Sequence, residues 1–357
     1  MSNKRLLFIP VSSPEGIGEY MRSLLLANGL LAEFAGMLDI HFILNKHTTY
    51  ADVCPFDTTL LESSATKEVA LVCDFITAYK PDVVVFDCAG RAAHMKAAKE
   101  VGAKVVFISQ HEKKRAKGLK LNRANLIDVH WVVQPDYCIA PLSWVETTKL
   151  DMFPLAYPRN VGPFVAHASE EQKKQVLNKY GLEENNYLLV NAGSGGHTFN
   201  NLNCADTYFD TALKAGKKTG LKTVVVFGSN YTKILPKTSE IICLTSLEGT
   251  DFLALLSQAK LALLSAGDTL LQAIALQTPV IACAISKDQH TRLENCVNAG
   301  VAIKASLNPD DIVSKIEYVI DDRHYKPLLA KYRKLESPQS YSVITSAVKN
   351  MLAGSRA

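Results

Sequence analysis

The stretch Lys260-Leu261-Ala262-Leu263-Leu264-Ser265-Ala266-Gly267-Asp268-Thr269-Leu270-Leu271-Gln272-Ala273-Ile274-Ala275-Leu276-Gln277-Thr278-Pro279-Val280-Ile281 decides the fold class. Lys260 to Leu264 is a short strand whose residues are apolar on both faces. Small polar residues end it at Ser265 to Asp268, apolar residues recur at helical spacing from Thr269 to Leu276, and Pro279 opens a second strand that runs to Ala284. A strand apolar on both faces must be covered on both, and a helix between two such strands supplies one cover. That is the unit of a parallel, doubly wound α/β sheet.

Working outward, the same alternation fills the chain. Tyr187 to Asn191, Lys222 to Phe227 and Glu240 to Leu244 read as strands, with helices at Ala205 to Lys218, Asp251 to Gln258 and Gln289 to Ala299. The tail from Pro309 to Met351 is helical in pattern, with breaks expected at Pro327 and Pro338. In the first half, Leu6 to Ile9, His41 to Leu44, Val83 to Asp87, Lys104 to Ile108 and His130 to Val133 are strands, and helices begin near Glu19, Lys67 and Ala92. Between the halves, Phe153 to Pro163 carries Pro154, Pro158 and Pro163 and reads as the linker. The expected organisation is a Rossmann-like domain over 1–158, a second over 159–336, and a C-terminal helix over 337–357 that packs back on the first.

Composition narrows the function classes. At 357 residues the chain exceeds what one hydrophobic core usually serves. With 48% hydrophobic and 21% charged residues it is globular. A net charge of +4 gives no sign of the basic excess expected of a nucleic-acid binder. No apolar run approaches the roughly 20 residues needed to span a bilayer, and Pro10 and Glu15 interrupt the stretch after Lys4-Arg5 too early for a signal peptide. The eight cysteines are scattered, with no C-x-x-C pair, which points to a reducing cytoplasm rather than a disulfide framework or zinc site.

In doubly wound sheets ligands sit at the carboxyl ends of the strands, where helix-start N–H groups meet anions. Gly16-Ile17-Gly18 follows the first strand of the N-terminal half, and Gly193-Ser194-Gly195-Gly196 follows the first strand of the second. Glycines there let backbone approach a phosphate, and Ser194 can donate to it. Neither turn matches G-x-x-x-x-G-K-[ST], so P-loop chemistry is not expected. Gly267, Asp268 and Thr269 form a third strand end. Gln272 is either a solvated helix residue or a partner for ribose hydroxyls.

These motifs resemble those of GT-B fold nucleotide-sugar enzymes, in particular the peptidoglycan N-acetylglucosaminyltransferases and the nucleotide-sugar hydrolases of pseudaminic acid synthesis. Gly16-Ile17-Gly18-Glu19-Tyr20-Met21-Arg22 resembles the hydrolase motif G-x-G-H-x-x-R, and Asn160-Val161-Gly162-Pro163 resembles the segment before the second domain. Thr250 to Leu256, on to Gly267, resembles the helix before the diphosphate-binding strand end, and Asp288-Gln289 resembles a D-Q pair that contacts donor sugar. The resemblance implies an α/β GT-B fold, two Rossmann-like domains with parallel sheets facing across a cleft. It implies an inverting, metal-independent hexosyl or hexosaminyl transferase in bacterial cell-surface glycan synthesis. The donor would be a nucleotide-diphosphate sugar, with no further cofactor, and the acceptor a glycan or lipid-linked hydroxyl. A hydrolase that admits water, and a non-catalytic GT-B domain that binds nucleotide sugar or a partner protein, stay open beside it.

Two departures from the pattern bear on activity. Glu19 stands where the family has a histidine base, and Gln272 where many relatives have a glutamate. There is no D-x-D, so no metal site is expected. A last cluster, Gln110 to Arg123, follows the strand ending at Ser109; five of the eight residues from Lys113 to Lys120 are cationic. It reads either as a solvated basic helix or as contact with an anionic acceptor or acidic membrane surface. Within it His111 is a second catalytic candidate.

Overall fold

The structure, a computed structural model, describes residues 3–11, 17–34, 37–165, 168–199, 201–287, 289–335 and 340–354. The chain forms two compact units, one of residues 1–164 with 338–357 and one of residues 165–337.

The first unit runs β1 (Lys4–Pro10), α1 (Gly18–Glu33), β2 (Leu38–Asn45), β3 (Asp57–Leu61), α2 (Val69–Tyr79), β4 (Val83–Asp87), α3 (Ala92–Glu100), β5 (Lys104–Ser109), α4 (Glu112–Gly118), α5 (Leu121–Ala124), β6 (Val129–Val132), α6 (Trp144–Met152) and β7 (Pro158–Asn160). Its sheet order is β3-β2-β1-β4-β5-β6-β7 and every pairing is parallel. The continuous apolar runs explain the two-sided burial. Successive side chains alternate across the sheet, so Leu6 and Phe8 join one core cluster while Leu7 and Ile9 join another on the opposite face.

The second unit runs α7 (Glu170–Tyr180), β8 (Tyr187–Asn191), the small antiparallel hairpin β9 (Thr198–Phe199) and β10 (Leu202–Asn203), α8 (Cys204–Thr219), β11 (Lys222–Val226), β12 (Ile242–Leu244), α9 (Gly249–Gln258), β13 (Leu261–Ser265), α10 (Asp268–Ala275), β14 (Val280–Cys283), α11 (Gln289–Asn298), β15 (Ile303–Lys304), α12 (Pro309–Ile320) and α13 (Asp322–Tyr332). Its parallel sheet is ordered β12-β11-β8-β13-β14-β15. Leaving the hairpin aside, the second sheet has the order 3-2-1-4-5-6 of a doubly wound fold, and the first has the same order with a seventh strand at the β6 edge. Each therefore has a topological switch point, between β1 and β4 and between β8 and β13, where such folds bind ligands. The last helix, α14 (Ser340–Gly354), belongs to the first unit. It buries Ile344, Val348 and Leu352 in the same cluster as Tyr20, Leu26 and Leu30 of α1.

Two expectations from sequence are corrected here. The proline-rich stretch at 153–163 is not simply a linker. Pro158 to Asn160 pair with His130 to Val132 as β7, and Val161 and Phe164 are buried in the first unit's core. A proline is tolerated there because β7 is the edge strand. Pro327 does not break the tail; it lies inside α13. The break falls at Asp321, which is extended and whose side chain accepts the N–H of Arg323 at 2.9 Å. That cap satisfies a helix-start donor, whereas Pro327 forfeits one backbone hydrogen bond. Pro338 lies outside the described residues.

Candidate functional site

In the second unit, four βα turns meet at the switch point. The turn after β8 is built on its own backbone. Asn191 Oδ1 accepts the Gly193 N–H at 3.0 Å, and Asn191 Nδ2 donates to the carbonyl of Val226 at 2.9 Å. Asn203 Nδ2 donates to the Gly195 carbonyl at 2.9 Å, and the Asn230 N–H to that of Ser194 at 2.8 Å. Gly195 has φ +87°, and a Cβ there would lie 2.2 Å from the Phe227 carbonyl oxygen. Gly228, at φ +97°, would place a Cβ 2.3 Å from the Ser194 carbonyl. The turns after β8 and β11 are thus pressed together backbone to backbone, and only glycine fits at the contact. This gives Gly195 a packing role that sequence alone assigned to ligand approach. Gly196 is exposed, and a Cβ there would lie 3.3 Å from Asn230 Cβ, a tight approach but far looser than at Gly195.

Ser194 differs from its neighbours. It is buried, and among the described residues its Oγ has no hydrogen-bond partner. A buried hydroxyl left unpaired is costly, and a diphosphate oxygen would satisfy it. Gly193 borders the next strand end, since a Cβ on it would sit 3.1 Å from Ser265 Oγ. Gly267 then starts α10 with no side-chain cap, which leaves the helix start open to an anion. Asp268 pairs with Arg292 at 3.2 Å, and Arg292 Nη1 donates to the Ala266 carbonyl at 3.0 Å. The carboxylate therefore meets a cation within its own unit. Thr269 and Gln272 follow on α10, half-buried. Gln289 is buried; its Oε1 accepts the Ile285 N–H at 3.0 Å, and its Nε2 faces Gly267. Gly193, Ser194, Gly267 and Gln289 are thus neighbours. Asp288 lies outside the described residues.

In the first unit, Gly16 is also outside the described residues, and Gly18 and Glu19 are the first two residues of α1. Arg22, one turn on, is buried and grips Asp87 at the end of β4 with both Nη2 (2.6 Å) and Nε (2.9 Å). Ser23 Oγ adds a third bond to Asp87 at 3.3 Å. The spacing Glu19-x-x-Arg22 has a physical basis: Arg22 anchors the helix turn that presents half-buried Glu19 at the switch point. Cys88, next along at φ +55°, is close by. Burial pushes its thiol up, and the carboxylates of Asp87 and Glu19 act in the same direction, against Arg22 and Lys114. His111 is the residue before α4, after β5, so it and Glu19 flank the end of β4 on opposite sides.

Sequence reasoning missed a cavity of about 630 Å³ in this unit, formed at the ends of β1 to β4. Its lining joins Lys114, Lys117, Lys120 and Arg123, from the basic stretch already noted, with Lys67 after β3 and Arg91 after β4. The run of lysines was legible as charge density; its convergence with two distant cations was not. Among the described residues no group of three or more His, Cys, Asp or Glu side chains is placed to hold a metal ion, and no helix is long and apolar enough to cross a membrane.

No protein-family model matches the sequence, and no curated protein does. Solved structures match over the whole chain. Spinosyn forosaminyltransferase SpnP superposes with a TM-score of 0.65 at 13% identity, covering 99% of this chain and 100% of its own. A putative UDP-N-acetylglucosamine 2-epimerase from Listeria monocytogenes gives 0.56 at 15% identity, covering 98% and 96%. MnaA of S. aureus, in a co-structure with UDP, gives 0.60 at 16% identity, covering 98% and 97%. At these identities the likeness shows the fold: the chain is a GT-B α/β protein of two Rossmann-like halves.

Proposed function

We propose that the chain is a metal-independent glycosyltransferase that moves a sugar from a nucleotide-diphosphate sugar to an acceptor hydroxyl in a bacterial cell-surface glycan. The observations that carry this reading are the unpartnered, buried Ser194 hydroxyl in the turn after β8 and the uncapped start of α10 at the end of the adjacent strand β13. A diphosphate fits that pairing: the hydroxyl and the helix-start N–H groups would neutralise the leaving group. Gly193, Ser194, Gly196, Gly267 and Thr269 would line that subsite, with Gly195 shaping it from behind. Gln272 would meet the ribose, and Asp288 and Gln289 the donor sugar. Asp268, held by Arg292, would orient the start of α10.

In the first unit, Glu19 would take the proton of the acceptor hydroxyl. The acceptor oxygen then bonds to the anomeric carbon as the bond to the diphosphate oxygen breaks, and the diphosphate leaves with the electron pair. Attack opposite the leaving group inverts the anomeric centre. His111 stands as the alternative base. The eight free cysteines suit a reducing cytoplasm. Supplying radiolabelled nucleotide sugars, with and without extract of the source cells, tests the proposal. Label should enter a larger product only when extract is present.

A second reading has its own support. One of the structural neighbours is a putative UDP-N-acetylglucosamine 2-epimerase, an activity on a sugar nucleotide without glycosyl transfer to an acceptor. In that case label would leave the nucleotide, or be rearranged on it, without extract. Glu19 would then act on water or on a sugar proton.

A further inference from the structure

We propose that the cationic cavity of the first unit binds a phosphate or diphosphate group, carried by the acceptor; the word acceptor rests on the function proposed above, the anion site does not. Six cations line the cavity: Lys67, Arg91, Lys114, Lys117, Lys120 and Arg123. They come from three separate segments of chain, after β3, after β4 and along α4 and α5. Its one acid, Glu62, is already paired with Lys46 at 2.6 Å.

Among the described residues none of the six cations forms an ion pair. Arg91 Nε donates to the Thr66 carbonyl at 3.0 Å and Lys114 Nζ to that of Cys88 at 3.1 Å, so both are positioned by backbone rather than neutralised by carboxylate. Arg91 and Arg123 are close enough to oppose each other's charge: burial lowers the proton affinity of Arg123, and Arg91 lowers it further. The same two guanidiniums, behind burial itself, hold His94 neutral, with a pKa lowered to about 4. Like charges gathered in a concavity repel one another until an anion enters.

A solvated basic helix would place its cations outward and apart. Here Lys114, Lys117, Lys120 and Arg123 recur every third residue and line one cavity, Lys114 and Arg123 half-buried and Lys117 and Lys120 exposed at its mouth, while Lys113 is exposed and lies outside it. The cavity also lies at the β1–β4 switch point, where Pro10 and Val11 meet Cys88 and Ala89. A concave site of this volume suits a phosphorylated headgroup better than a flat membrane surface does.

Amine-reactive labelling of the full chain, read residue by residue by mass spectrometry, tests this with inorganic pyrophosphate as probe. Millimolar pyrophosphate should slow labelling of Lys114, Lys117 and Lys120 at least fivefold and leave Lys113 unchanged. Sodium chloride at the same ionic strength should not reproduce the pattern. The double variant Lys117→Gln with Arg123→Gln should lose any pyrophosphate protection at Lys114 and Lys120. Equal slowing at all four lysines, or none, overturns the proposal. So does protection by phosphatidylglycerol vesicles that includes Lys113 while free pyrophosphate protects nothing, since that describes a membrane-facing surface. If protection holds but no nucleotide sugar is bound or turned over, the anion site stands and the transferase reading falls; the converse result separates them the other way.

Discussion

Arg22 and Asp87 form a buried two-point ion pair, Nη2 to Oδ1 at 2.6 Å and Nε to Oδ2 at 2.9 Å, that ties the first turns of α1 to the end of β4. Their side chains are 5% and 0% exposed, so the cost of desolvating both charges offsets much of their attraction. Removing one partner is a different matter, because it leaves the other buried and uncompensated. Arg22→Ala should cost about 3–5 kcal/mol in urea unfolding of the whole chain, whereas Arg22→Met with Asp87→Leu should cost far less. A single-variant loss below about 1 kcal/mol would mean the remaining charge finds water or another partner.

How much of this was legible beforehand depends on where the information sits. Parallel strands covered on both sides are continuous apolar runs, so Val83 to Phe86 and Leu261 to Leu264 identified themselves. Edge elements have no such signal. Asp57–Leu61, Pro158–Asn160, Thr198–Phe199 and Leu202–Asn203 are short, partly polar and half solvated, and pairing rather than composition makes them strands. At Gly193 and Gly195 the backbone takes positive φ, which favours glycine, and at Gly195 the further reason, the Phe227 carbonyl, is a contact with the next strand's end. The Arg22–Asp87 pair spans 65 residues, and the cavity's cations span 56, from Lys67 to Arg123. Sequence shows such residues singly; only the sheet order brings them together.

Ser194 offers a test with two signs. If its hydroxyl is kept for a diphosphate, Ser194→Ala removes a buried unsatisfied group and should leave the free protein as stable or slightly more so. The same change should weaken nucleoside diphosphate binding about tenfold to a hundredfold, the worth of a hydrogen bond to a charged group. Calorimetry on one pair of proteins measures both. Gly195→Val, by contrast, should lower the melting temperature outright, because φ +87° and a 2.2 Å approach to the Phe227 oxygen leave no space for a side chain. An unchanged melting temperature in Gly195→Val would refute the packing role. Equal affinity in Ser194→Ala would take the hydroxyl out of the ligand site.

Metal independence is directly measurable. With no D-x-D and leaving-group stabilisation assigned to hydroxyl and backbone, turnover in excess chelator should match that in magnesium within about twofold, well under 1 kcal/mol. Complete, reversible loss on chelation would require a metal on the diphosphate and a different mechanism.

The first unit should be acid-sensitive. Burial holds His130 at about 3 and His94 at about 4, with Arg115 adding to the shift of the first and Arg91 and Arg123 to that of the second. Both values lie below the ordinary histidine range near 6.5, so the unfolded chain takes up protons first as pH falls. Stability is fully present above about pH 6.5 and declines below it, by at most about 1.4 kcal/mol per pH unit for each histidine until its folded pKa is reached. Urea unfolding at pH 7 and pH 5 should show that decline. His130→Gln, whose amide reaches the Nε2 position and can keep the bond to Ser109, now 3.0 Å from Nε2, should show a shallower one. Parallel pH profiles in the two proteins would rule His130 out as a cause.

Glu19 separates function from ordinary helix chemistry most sharply. An acidic residue in the first turn of a helix is common, because the positive end of the helix favours it by about 0.3–1 kcal/mol. That field stabilises the carboxylate and so weakens it as a base, which a catalytic role must overcome through desolvation when acceptor enters. Position argues for the role. Glu19 is held one turn before the buried Arg22 anchor, at the β1–β4 switch point and near Cys88. Glu19→Gln keeps size and hydrogen bonding but cannot take a proton. If Glu19 is the base, kcat should fall about 10²–10⁴ with donor affinity nearly unchanged, and the acid limb of the rate–pH profile should vanish. A structural residue would behave otherwise, shifting the melting temperature while leaving the profile's shape intact. If Glu19→Gln turns over at the parent rate, proton transfer passes to His111, and His111→Gln should then carry the loss.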